Sequence, residues 1–139
     1  MKGVTITPLR KIPDDRGCVF HMMRNDSPLF KKFGEIYFST VYPGVVKAWH
    51  YHMGMTLNYA VIKGNIKLVV CDGKKFEEIY LGDRNYVMVT IEPGIYNGFT
   101  CVGSEEAIVA NLSDIPHDPE ENIRILPSDF GYDWKVKNR

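Results

Sequence analysis

The sequence has no excess charge of either sign: 17 Lys and Arg stand against 17 Asp and Glu. Gripping nucleic acid or an anionic membrane takes a concentrated positive field, so neither partner is expected. Cysteine pairing signals are also missing. Cys18, Cys71 and Cys101 are odd in number, widely spaced and form no C-x-x-C. That excludes a zinc ribbon or thioredoxin-like site and reads as a reduced set of small core residues. No stretch approaches the ~18 apolar residues of a membrane span, and MKGVTITPLR lacks the apolar segment of a signal peptide. The expected location is the cytoplasm. Repeats, low-complexity tracts and linkers are absent too, which leaves residues 1–139 as one domain of ordinary size.

What the sequence does contain is a succession of short β-rich stretches. Strands are expected at Val4–Thr7, Val19–Met23, Ile36–Tyr42, Val45–Met53, Leu57–Ile62, Ile66–Cys71, Phe76–Leu81, Val87–Ile91 and Ala107–Leu112. Asp14-Asp15-Arg16-Gly17, Pro43-Gly44, Asp72-Gly73 and Pro93-Gly94 separate them with turn chemistry, and Lys63-Gly64-Asn65 reads as a tight hairpin. One short helix is expected over Ser27 to Phe33, with Ser27 as N-cap and Pro28 at the first helical position. Short strands at this spacing imply an all-β antiparallel sandwich, barrel or jelly roll, with a mouth lined by alternate residues of several strands.

The chemistry concentrates in Lys47-Ala48-Trp49-His50-Tyr51-His52. Residues two apart on a strand face the same way, so Ala48, His50 and His52 share one face and Trp49 and Tyr51 the other. With Ala48 on the lumen side, both imidazoles enter the cavity. Gly44, His50 and His52 match the opening of the metal-binding cupin motif, but Leu57 stands where its Glu belongs and Asn97 where its third His belongs. Two histidines fall short of the three or four protein ligands a catalytic metal takes, so no metal and no other cofactor is expected. His117, bracketed by Pro116 and Pro119, reads as a solvated surface residue, and His21 as a partly buried strand residue.

Four elements in order resemble the dTDP-4-dehydrorhamnose 3,5-epimerase family, a branch of the cupin jelly rolls. Asp15-Arg16-Gly17 resembles its D-x-R-G element, and Lys47 to His52 its R-G-L-H-Y-Q strand. Ile91 to Phe99 resembles its I-P-x-G-x-x-H-G-F turn, and Asp129 to Trp134 its closing D-P-x-x-x-x-W. The resemblance implies a homodimer with exchanged strands and a nucleotide-sugar substrate. It also implies that His50 is the catalytic base, that Asp129 orients it, and that Arg16 and Lys47 sit near the nucleotide diphosphate. The family's enolate-stabilising Lys falls at Asn58, its proton-donating Tyr at Ala110 and a second His at Asn97, so the catalytic match is partial.

Epimerisation beside a ketone needs a base for the α-proton, a group to stabilise the enolate oxygen, and an acid to return the proton. His50 suits the first task, since a neutral imidazole is a competent base near neutral pH. His52 and Asn58 are candidates to polarise the carbonyl, while Asn97, Tyr96 and Tyr132 are candidate substrate contacts, either tyrosine being a possible acid. The expected reaction is metal-independent epimerisation or isomerisation of a dTDP-4-keto-6-deoxyhexose. A catalytically silent sugar- or nucleotide-binding cupin is the alternative, with a metal-dependent cupin enzyme behind it.

Overall fold

The computed structural model describes residues 1–137 of the chain. They form twelve strands and, among the described residues, no helix. The strands are β1 (Val4–Pro8), β2 (Lys11–Asp14), β3 (Gly17–Phe20), β4 (Glu35–Val41), β5 (Val46–His52) and β6 (Leu57–Lys63). Then follow β7 (Asn65–Cys71), β8 (Phe76–Gly82), β9 (Val87–Ile91), β10 (Tyr96–Cys101), β11 (Ala107–Ser113) and β12 (Asn122–Arg124). Two five-stranded sheets, in the orders β1-β9-β6-β11-β4 and β12-β5-β10-β7-β8, form a jelly roll, and β2 and β3 make a separate hairpin. Neighbouring strands pair antiparallel throughout.

Period-two alternation decides which face each sheet buries. From the first sheet Leu57, Tyr59 and Val61 of β6 and Val87, Val89 and Ile91 of β9 meet Ile66, Leu68 and Val70 of β7 and Leu81 of β8 from the second. Each fully buried aliphatic side chain there stabilises the fold by about 1.5–3 kcal/mol. A smaller cluster covers the outside of the second sheet. Trp49, fully buried, packs against Phe130, Tyr132 and Trp134 of the C-terminal segment.

Three expectations are corrected. Ser27 to Phe33 is not a helix: Ser27 Oγ accepts from the Arg24 N–H behind it at 2.9 Å, and the Phe30 N–H bonds Ser27 O at 3.0 Å in a single turn. One or two helical turns cannot offset the cost of nucleation unless packing holds them. Lys63-Gly64-Asn65 joins strands that lie in different sheets, so it is a corner and not a hairpin. The positive φ of Gly64 (76°) turns that corner, and a Cβ there would meet the Glu106 carbonyl at 2.8 Å. Cys18 lies exposed on β3, while Cys71 and Cys101 are buried as expected.

Candidate active site

At one end the sheets separate around a cavity of about 460 Å³, within the usual range for small-molecule sites. One wall is β5, which contributes Lys47, His50 and His52, with Phe99 of β10 beside them. The other wall brings Tyr37 and Ser39 from β4, Tyr59 from β6 and Asn111 from β11. Strict alternation would place Ala48, not Lys47, beside His50. The register explains the difference: Asn97 pairs with His50 but Phe99 with Lys47, so three steps on β5 face two on β10. This bulge turns Lys47 inward and Ala48 outward, against Gly98.

Hydrogen bonds fix the cavity side chains. Lys47 Nζ donates to Thr40 O at 2.5 Å and to Ser39 Oγ at 3.2 Å, tying the second sheet to the edge of the first. Asn97, buried completely, accepts from the Tyr59 hydroxyl at 3.2 Å and donates to His50 O at 3.5 Å. It therefore lies behind the His50 backbone and couples it to the phenol opposite. Burial, reinforced by the neighbouring Tyr37, pushes the Tyr59 phenol well above the ordinary tyrosine range and keeps it protonated.

His52 has a carboxylate partner. Its Nδ1 lies 2.6 Å from Glu121 Oε1, and Glu121 Oε2 accepts the N–H groups of Gly54 and Met55, each at 2.8 Å. Burial raises the Glu121 pKa, but the His52 contact and the two backbone N–H groups outweigh it and hold the carboxyl below its usual range. Residues 118–121 reach this position because β12 pairs with β5, setting Asn122 opposite His52. His117 is exposed as expected, yet it stands at the cavity mouth, where its N–H donates to Glu35 Oε1 at 2.9 Å.

Other expected site residues lie elsewhere. Asn58 points away from the cavity because it alternates with Tyr59. Its amide donates to Leu112 O at 2.9 Å and accepts from Thr90 Oγ1 at 2.7 Å. Ala110 likewise faces outward, between the cavity residues Val109 and Asn111. Asp129 is exposed, and its carboxylate accepts the Leu126 N–H at 2.9 Å in its own turn. Tyr96 packs on Tyr51 and Phe130 outside the second sheet. Tyr132 belongs to the same outer cluster and donates to Glu78. Arg16 sits at the tip of the β2–β3 hairpin, 91% exposed and paired with Asp14 at 2.7 Å.

Sequence reasoning missed Tyr37, Ser39, Tyr59 and Asn111 in the cavity wall and Glu121 behind His52. For Tyr59 a signal existed: it shares parity with Leu57 and Val61, the apolar side of its strand. For Glu121 there was none, since only the pairing of a three-residue strand brings it to His52. Among the described residues no group of three or more His, Cys, Asp and Glu is arranged to hold a metal ion.

Known proteins bear the same frame. A dTDP sugar isomerase of Desulfovibrio desulfuricans, solved by crystallography, superposes with a TM-score of 0.89 at 41% identity, covering 92% of this chain and 87% of its own. The spore coat polysaccharide biosynthesis protein SpsL of Bacillus subtilis is 26% identical over 99% of this chain and 98% of its own length. A probable low-salt glycan biosynthesis epimerase of Haloferax volcanii is 27% identical over 96% of this chain and 94% of its own. Residues 12–122 match the polysaccharide biosynthesis C-terminal domain family. The chain belongs to that family, and its fold is shared by solved dTDP-sugar isomerases and epimerases.

Proposed function

We infer that the cavity takes the sugar of a nucleotide-activated 4-keto-6-deoxyhexose, with dTDP as the nucleotide, and moves a proton beside its ketone. The chain is then a nucleotide-sugar epimerase or isomerase that serves polysaccharide assembly. One observation carries this reading: His50 and His52 enter the cavity from one sheet, opposite the protonated phenol of Tyr59 on the other. His50 removes the proton from the carbon next to the ketone, and the bond's electron pair moves onto the ketone oxygen as an enolate. A phenol on the opposite wall is placed to return a proton from the other side, which inverts the carbon. Tyr59, or Tyr37 beside it, takes the part for which Tyr96 and Tyr132 are too remote. Asn58 and Asp129 have no part in this scheme.

Two copies of the chain complete the site in this reading. Among the described residues β2 and β3 pair only with each other, and the hairpin, which rests on the Tyr86 ring through Phe20, still exposes Ile12 and Val19 and part of Phe20. An isolated two-stranded hairpin is marginal in water, so exchange onto a second copy would cover it and bring Arg16 towards that copy's nucleotide, with Lys47 at the cavity itself. No helix among the described residues is long and apolar enough to cross a membrane, and a sugar-nucleotide substrate fits a cytoplasmic enzyme. The test is to incubate the protein with dTDP-4-keto-6-deoxyglucose in deuterated water and follow the sugar protons by NMR. Loss of the C3 or C5 proton signal is expected. Tight binding with every carbon-bound proton retained would instead mark a silent binding module.

A further inference from the structure

The carboxylate–imidazole couple of this cavity is built on His52 and not on His50's expected partner, Asp129. Glu121 reaches His52 Nδ1 at 2.6 Å, and the two side chains are 11% and 12% exposed. Its other oxygen is anchored by the N–H groups of Gly54 and Met55, so the carboxylate cannot swing away without leaving two donors unpaired. An ionised carboxylate only accepts hydrogen bonds, so the proton of a neutral His52 must sit on Nδ1. Nε2 is then left with a lone pair, on a side chain that lines the cavity. In that tautomer a neutral His52 cannot donate to a carbonyl, which removes it from the carbonyl-polarising role the sequence suggested.

We propose that Glu121 is a positioning residue that locks His52 as the Nδ1–H tautomer, and that His52 Nε2 acts as a second base beside His50. The step balances without a further reactant. Nε2 takes a proton from the bound sugar, the sugar keeps the electron pair as an enolate, and the imidazolium formed is neutralised by Glu121. The phenol on the opposite wall returns a proton to the carbon, and the imidazolium and the phenolate regain their resting forms by proton exchange with solvent. Ionised Glu121 stabilises that imidazolium at the moment it forms, at no cost in reorganisation. The assignment rests on the keto-sugar reading above for its substrate, but the tautomer does not.

The test pairs a spectrum with a rate. Nitrogen-15 correlation spectra of the imidazoles, recorded without ligand across a range of alkaline pH, report which nitrogen of neutral His52 holds the proton. Wild type should show Nδ1–H, and Glu121→Gln should show a mixture or Nε2–H. In the same variant, kcat for deuterium incorporation into dTDP-4-keto-6-deoxyglucose should fall on the order of 10²-fold with KM nearly unchanged, while Glu121→Asp regains part of the rate. An Nε2–H signal for His52 in wild type overturns the proposal, whether or not the variants fold. So does an unchanged kcat in folded Glu121→Gln. A locked tautomer in a wild type that exchanges nothing removes the second-base role and the keto-sugar reading together, and leaves only the tautomer lock standing.

Discussion

Glu121 is ionised where burial alone would favour its proton, and that makes it a source of acid-dependent stability. Its folded pKa lies below the ordinary value of 4.5, so the unfolded chain binds the proton more readily than the folded one. The contribution is therefore complete above about pH 4.5 and is lost as the pH falls through the folded value. Urea unfolding of wild type and Glu121→Gln at stepped pH should show a stability gap that is constant near neutrality and closes below pH 4.5. A gap that widens on acidification would contradict the assignment. Tyr59→Phe makes a second case, since it strips the donor from the buried Asn97 carbonyl. A loss of about 1–3 kcal/mol is expected, along with loss of the returning acid, read by thermal melts and exchange rates. At this scale the sequence revealed His50 and His52 because parity places both on one face. It misplaced Asn58, because a one-residue offset in a motif match flips a strand side chain to the other sheet face.

β5 owes its shape to its neighbour. A Cβ on Gly98 would stand 2.4 Å from Ala48 Cβ and 3.2 Å from Lys47 O, so β10 must be bare there for the bulge to seat. Gly98→Ala should push the strands apart, displace Lys47 and His50 together, and abolish proton exchange in a protein of lowered Tm. Trp49 holds the other face of the same strand, where the Trp49 N–H bonds Ile125 O at 2.6 Å and its indole donates to Pro127 O at 3.2 Å. Trp49→Ala should destabilise by about 3–5 kcal/mol and release the C-terminal segment, which limited proteolysis would reveal. The strands dense in Val, Ile and Leu were legible from alternation. β10 was not: Tyr96-Asn97-Gly98-Phe99 reads as turn chemistry, and only its place between β5 and β7 makes it a strand.

For the whole molecule, the turn-separated strands implied an antiparallel jelly roll, and the two sheets have that architecture. Which strands pair was less visible. Lys63-Gly64-Asn65 has hairpin chemistry, but the core is built by crossing there from one sheet to the other. The same crossings put imidazoles and phenols on facing walls although 50 and 59 are close in sequence. The exposed hairpin belongs to this scale too. Sedimentation should give a dimer, and Arg16→Ala should weaken dTDP binding while leaving that dimer intact; a monomer with full activity would remove the exchanged-hairpin account.

The central claim is that the β5 imidazoles take a proton from a sugar held between the two sheets. It is tested most directly by the rate of deuterium entry into dTDP-4-keto-6-deoxyglucose, measured for wild type and for the His50→Gln/His52→Gln double variant under saturating substrate. The account predicts exchange by wild type and a loss of at least 10²-fold in the variant, with dTDP binding retained. Exchange at the wild-type rate in the folded double variant would contradict it.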